Sequence, residues 1–356
     1  SALPARSEMC IRDSAMFGLV TSDDLISLFI FWEMTTILSY LLIGYARSRL
    51  SARRSALTAL IVTTAGGLAM FGGLVMLGVT AGTFRLSEIL MMTDALTPEN
   101  PVVTAAIILI LVGAISKSAL FPFHFWLPGA MAAPTPVSAY LHAAAMVKAG
   151  VYIVARLAPG FSDIPGWTLL TVGFGLYTLL LGGWRALRQT DIKLVLAYGT
   201  VSQLGLIIAV LGIGTPAAML GGLALMLGHG LFKSALFLVV GAIDHGTGTR
   251  DLRNLSGLWK ARPALFVCSV ISAASMAGLP ITFGFIAKET ALAGLLDVPT
   301  SANIFVTAIF ALGAVLTFAY AARFIWGSFA TKPGVEPTKI SWTQPTLSLI
   351  HISERA

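Results

Sequence analysis

Apolar residues run through this chain in long uninterrupted blocks, and polar residues are confined to short links between them. A helix needs about 20 mainly apolar residues to cross a bilayer. Nine blocks meet that requirement: residues 24–45, 55–80, 102–127, 135–157, 166–184, 194–213, 217–243, 264–287 and 302–327. Helices that are apolar on every side are buried in protein or lipid. The pattern therefore predicts an all-α polytopic membrane protein with about nine transmembrane helices. A stub at residues 15–20 reads as the end of an earlier span.

Two of the blocks are broken by proline at similar places. Pro122 interrupts the third span in SALFPFHFWLP, and Pro280 the eighth in MAGLPITFGFIAKE. Each break has a lysine close by, Lys117 and Lys288. The two spans are five apart, and five is odd, so consecutive five-helix units would cross the membrane in opposite senses. This is the inverted repeat of many transporters, in which the site lies near mid-membrane at discontinuous helices. The expected units are residues 15–158, with a truncated first helix, and 159–329. Residues 1–14 are expected to be non-native or disordered, and the tail 330–356 partly non-native. Residues 9–14 and 347–354 resemble translated cloning or adaptor sequence, so the chain is expected to be an internal fragment.

Charge sets the orientation. Arg47, Arg49, Arg53 and Arg54 follow the first span, Arg185, Arg188 and Lys193 the fifth, and Arg250, Arg253, Lys260 and Arg262 the seventh. With nine alternating spans these links share one side, and basic links mark the cytoplasm. Opposite them, Arg85 is accompanied by Glu88, Asp94 and Glu99, and Arg156 by Asp163. The chain is thus read as a multi-pass protein of the cell (inner or plasma) membrane. Its 56% hydrophobic and 11% charged residues agree, and the net charge of +7 is accounted for by these links without nucleic acid. Cys10 and Cys268 have neither metal nor redox spacing, and Cys268 is expected in the core. There is no metal-ligand spacing, phosphate loop or dinucleotide fingerprint, so no cofactor or metal is expected.

An ionisable group inside a hydrocarbon-length segment costs about 2.5–3.5 kcal/mol on insertion scales and is a functional-site hypothesis by default. Glu33 is mid-way along the first span and is either a structural carboxyl or the charge partner of Lys117. A lysine whose pairing with a carboxylate can be switched is a reversible proton carrier. His142 and Lys148 share the fourth span, six residues apart, and point in different directions. His229 and Lys233 lie one turn apart on one face of the seventh span, and Lys288 ends the eighth with Glu289. Each alone reads as a satisfied core group or an ion pair; together they are distributed as proton relays are. A membrane enzyme acting on lipids or glycans would want polar catalytic links, and these links are short and Arg-bearing. A pure scaffold would not keep Glu33 and Lys117.

The motifs FWEMTTILSYLLIGY, SKSALFPFHFWLPGAMAAPTPVSAYLHAAAMVKAGVY, DIKLVLAYGTVSQLG and GHGLFKSALFLVVG resemble the proton-translocating antiporter-like subunits shared by Mrp-type sodium/proton antiporters and respiratory complex I. The resemblance covers about residues 15–330 and is nearer to the large A subunit of Mrp antiporters than to the L subunit of complex I. It implies a proton relay through Glu33, Lys117, His142, Lys148, His229, Lys233 and Lys288, in a cation/proton antiporter built with other membrane subunits. The same fold as a pump subunit of complex I or a membrane hydrogenase is the alternative. Many members carry a second histidine one turn before His229, where this chain has Leu225.

Overall fold

The computed structural model describes residues 5–45, 49–141, 145–296 and 302–338. Its main helices are α1 (Ala5–Thr21), α2 (Leu25–Ile43), α3 (Leu50–Ala81), α4 (Pro101–Lys117), α5 (Lys148–Phe161), α6 (Phe174–Leu187), α7 (Ile192–Leu211), α8 (Pro216–Thr247), α9 (Pro263–Ala277), α10 (Phe283–Leu296) and α11 (Ala302–Phe329). No strand occurs among the described residues. The stub expected at 15–20 is the end of the longer α1. Residues 5–14, part of the stretch expected to be non-native or disordered, continue that helix.

Among the described residues six helices are long and apolar enough to span a bilayer unbroken: Leu25–Ile43, Leu50–Ala81, Leu169–Leu187, Ile192–Leu211, Pro216–Thr247 and Ile304–Phe329. The other three predicted spans are each in two pieces. The third is α4 followed by short turns from Phe123 to Ala132, and the eighth is α9 followed by α10. The fourth, expected as one run, is also divided, into a short helix Thr135–Ala139 and α5. Broken backbone at this depth needs partners from the protein. They are present: Ser118 Oγ donates to the Val147 carbonyl (2.8 Å), and Trp126 Nε1 donates to the Ser116 carbonyl (2.9 Å).

The inverted repeat is visible in the backbone. Asp24 and Asp191 are the N-caps of α2 and α7, five spans apart, and each side chain accepts from backbone N–H groups in the first turn. Each of these helix starts is tied antiparallel to the link after the next helix. Leu25 N donates to Phe84 O (2.9 Å) and Leu86 N to Asp23 O (2.7 Å); Ile192 N donates to Arg250 O (3.0 Å) and Leu252 N to Thr190 O (2.8 Å). The helices in between, α3 and α8, both have 32 residues and end at a glycine in the left-handed region, Gly82 and Gly248. The next helices, α4 and α9, both begin with proline in their first turn and run into a break. Each break holds one non-glycine residue with positive φ, Ala119 (52°) and Ile281 (75°). By the alternation of spans the two ties lie on opposite faces of the membrane.

The centre of the bundle is α7, buried along almost its whole length. In the first unit α3 and α4 pack at backbone distance through glycines: a Cβ at Gly113 would stand 2.5 Å from Met70 Cβ and 2.8 Å from the Gly66 carbonyl. Outer faces are apolar and exposed, as at Ile61, Leu68, Ile304 and Val315, which suits lipid or neighbouring subunits. Cys268, expected inside, is on such an outer face of α9.

The packing sets a contrast between two glycines of the α3/α4 pair. Gly113→Leu has no room and is expected to cost about 3 kcal/mol by overpacking. Gly72 has nothing within 4 Å of its absent Cβ. Gly72→Ala is therefore expected to be neutral or to stabilise by up to about 1 kcal/mol through helix propensity. Thermal unfolding of the detergent-solubilised full-length protein distinguishes the two.

Candidate functional site

The break after α4 carries its lysine inward. Lys117 is the last residue of α4 and is fully buried. Its Nζ donates to three oxygens of α2, the Trp32 carbonyl, Thr35 Oγ1 and Thr36 Oγ1, each at 2.7 Å. It also stands 4.5 Å from the centroid of the Trp32 ring. Three acceptors match the three N–H bonds of an ammonium.

Glu33 is next to this group without pairing with it. The four ion pairs among the described residues are Arg85–Glu88, Arg250–Asp191, Arg250–Asp244 and Arg253–Asp251, and none joins Glu33 to Lys117. Their charges nonetheless act on each other. Glu33 Oε1 is buried without a hydrogen-bond partner, and so is Trp32 Nε1. Both face the notch at Gly67, where a methyl would overlap the carboxylate oxygen and stand 3.2 Å from the indole nitrogen. Within the run GGLAMFGG at residues 66–73, Gly67 thus makes room for a charged side chain, while Gly66 and Gly73 allow close helix packing.

Beyond the break, Lys148 opens α5 and is half-buried. His229 is fully buried against Phe232 (5.7 Å between rings), and neither ring nitrogen has a hydrogen-bond partner. Lys233, one turn along α8, is fully buried and donates to the Leu196 carbonyl (3.1 Å) of α7. Gly199 leaves space for it, since a Cβ there would be 2.9 Å from Nζ. Leu225 is buried in place of the second histidine of the resemblance. His142 lies outside the described residues.

Lys288 is inside α10, with only 9% exposure. Its Nζ donates to the Met276 (3.1 Å) and Ala277 (2.8 Å) carbonyls at the end of α9. A positive charge there satisfies freed carbonyls and complements the helix dipole. Lys117 and Lys288 are therefore not positional equivalents. One ends the half-helix before its break, and the other reaches back to that place from beyond its break. Glu289, beside Lys288, is exposed.

Sequence reasoning missed three contributions. Lys193, taken as part of a basic link, is 1% exposed and donates to the Met131 (2.9 Å) and Ala133 (2.5 Å) carbonyls at the far end of the first broken helix. Its position directly before an apolar block was the only signal. Thr35 and Thr36 read as ordinary small polar residues of a helix. Tyr320, Gln203 and Thr317 form a buried hydrogen-bonded group, with Gln203 Nε2 donating to Thr317 Oγ1 (3.1 Å) and Tyr320 Oη (3.3 Å), and Lys233 is 5.7 Å from the Tyr320 ring. His124, after the first break, is buried without a hydrogen-bond partner and stacks on Phe121.

Unbroken apolar spans, proline-broken helices in an inverted pair, and buried lysines held by neutral oxygens define a polytopic membrane protein with discontinuous helices. The chain belongs to the NADH:quinone oxidoreductase/Mrp antiporter transmembrane family, which matches residues 22–317. It is 44% identical over 340 residues to the Na(+)/H(+) antiporter A subunit of Alkalihalophilus pseudofirmus, covering 89% of this chain and 42% of that protein. It is 43% identical over 327 residues to a probable K(+)/H(+) antiporter A/B subunit of Rhizobium meliloti, covering 90% of this chain and 32% of that one. The structure is similar to the Mrp complex from Dietzia sp. DQ12-45-1b, with a TM-score of 0.86 and 42% identity over 92% of this chain and 36% of that one. The chain thus spans less than half the length of these proteins.

The capping role of Lys193 is directly testable. Lys193→Met leaves two buried carbonyls unpaired and is expected to cost about 1–3 kcal/mol. Lys193→Arg is expected to keep most of that, as read by the thermal unfolding midpoint of the full-length protein.

Proposed function

We propose that the chain is the proton-conducting part of a membrane subunit of a multi-subunit cation/proton antiporter of the Mrp type. In this reading it exchanges protons for sodium in company with other membrane subunits. The observation that carries the reading is a set of buried bases, Lys117, Lys233 and Lys288, held by backbone carbonyls, with His229 one turn from Lys233 and the half-buried Glu33 beside Lys117. Such groups hold a positive charge in place without neutralising it, so each is able to take up and release a proton. The names of the similar relatives given above, which are sodium or potassium antiporter subunits, support the same reading.

In mechanism, Lys117 carries the proton according to whether Glu33 pairs with it. The change in charge is passed by way of His142 and Lys148 to His229 and Lys233, and from there to Lys288 toward the outer exit. The membrane-embedded fold excludes bulk water, so Coulombic interaction between successive groups is weakly screened. Broken helices let these groups sit at mid-membrane rather than at the surface. A redox-driven pump subunit is the second reading, favoured by the family's inclusion of NADH:quinone oxidoreductase subunits; quinone, iron-sulfur or nickel-iron partners encoded nearby would mark it.

Lys117→Ala and Glu33→Ala in the full-length assembly are each expected to lower proton-driven sodium exchange in everted vesicles by at least about 100-fold, within the range mutations of proton-transfer groups show. Assembly, followed by co-purification of the subunits, is expected to be unchanged. Exchange at the wild-type rate in both variants would sink the proposal.

A further inference from the structure

We propose that Thr35 and Thr36, with the Trp32 carbonyl, form a second docking station for the Lys117 ammonium, in competition with Glu33. The proposal rests on the reading of Lys117 as the proton carrier and adds the place where that carrier waits when it is not paired.

The geometry is specific. Threonine hydroxyls within helices ordinarily donate to a carbonyl three or four residues back. Both do so here, to one and the same oxygen: Thr35 Oγ1 to Trp32 O at 2.8 Å and Thr36 Oγ1 to Trp32 O at 3.2 Å. That uses their hydrogens and leaves their lone pairs free. Because the two are adjacent and aim at a shared carbonyl, three oxygens converge on one point, and Lys117 Nζ occupies it at 2.7 Å from each. All three threonine and tryptophan positions are buried, at 0% or 1% exposure. The Trp32 ring closes one side of the cradle.

The cradle differs from Glu33 in charge and not in hydrogen-bonding capacity. At Glu33 the ammonium would be neutralised in an ion pair. In the cradle every acceptor is neutral, so the full positive charge persists and the carboxylate is left alone in its Gly67 notch, its Oε1 unpartnered. A lysine leaving a carboxylate at this depth would otherwise carry unpaired N–H groups into an apolar interior. Two stations, both satisfying the ammonium, allow Lys117 to alternate between a paired and an unpaired charge by side-chain motion alone. Thr35 and Thr36 are thus positioning residues that act through Lys117. The other charges acting on Lys117 are Glu33, from the same helix, and Arg12, from α1.

Valine has the shape of threonine without the hydroxyl, and serine keeps the hydroxyl without the methyl. The test is proton-driven sodium exchange by the full-length complex in proteoliposomes. For the double variant Thr35→Val/Thr36→Val the maximal rate is expected to fall by about tenfold or more, the effect of removing hydrogen bonds to a charged group. The half-saturating sodium concentration is expected to be unchanged, and Thr35→Ser/Thr36→Ser to keep about half the wild-type rate or more. A role in packing alone would give the opposite order, since valine preserves the packing. If the double valine variant does not assemble, Thr36→Val alone is expected to slow exchange several-fold, with Thr36→Ser restoring it. Wild-type exchange by the valine variant that assembles, or a serine variant as slow as its valine counterpart, overturns the cradle. With Lys117→Ala inactive, that result leaves the proton-carrier reading standing; an active Lys117→Ala overturns both.

Discussion

A helix broken at membrane depth frees carbonyl oxygens that no water is at hand to satisfy, and the arrangement of this chain follows from how those oxygens find partners. Lysines supply many of them. Lys288 reaches back to the last carbonyls of α9, and Lys193 crosses from α7 to the carbonyls that end the first broken helix. Lys117 takes its acceptors from the neighbouring helix α2. Buried cations and broken helices are thus two sides of one solution. The break offers neutral acceptors that hold a charge in hydrocarbon, and the charge makes the break tolerable. An apolar residue at Lys193 or Lys288 would leave the backbone unsatisfied; a carboxylate would face oxygens of its own sign.

Much of the architecture was legible because bilayer thickness sets the length of apolar blocks, and because Pro122 and Pro280 fall in the interior of two of them, where proline removes a backbone hydrogen bond. Nine spans, the inverted pair and the breaks at Pro122 and Pro280 all follow from those two facts. The interruption before Lys148 was not legible, because its backbone is held open by Ser118 from another helix, a tertiary contact without a local signature. The equivalence of Lys117 and Lys288 was read from sequence distance to a proline. That distance does not say from which side of the break a long side chain returns.

Candidate charges stood out against apolar sequence, but what holds them did not. Thr35 and Thr36 look ordinary in FWEMTTILSY, since small hydroxyl residues pack well in any membrane helix. Lys193 looked like one more basic residue of a cytoplasmic link, and only its burial separates it from Arg185 and Arg188. The glycines at 66 and 67 look alike in sequence, yet Gly66 lets α4 approach at Gly113 and Ser116, whereas Gly67 makes room for the Glu33 carboxylate. In each case the residue type is common and its meaning comes from a partner far away in sequence.

The enclosure of α7 has an evolutionary consequence. A helix with protein on every side has no face on which substitutions are free, whereas α3 and α11 each turn an apolar face outward, where one aliphatic residue serves as well as another. Drift in such a chain is channelled outward. The outward apolar surface can be rewritten to suit a new surrounding, while the central helix that holds Lys233 and Tyr320 in register keeps its dimensions. Parts of this kind can be moved between assemblies without redesign of the interior.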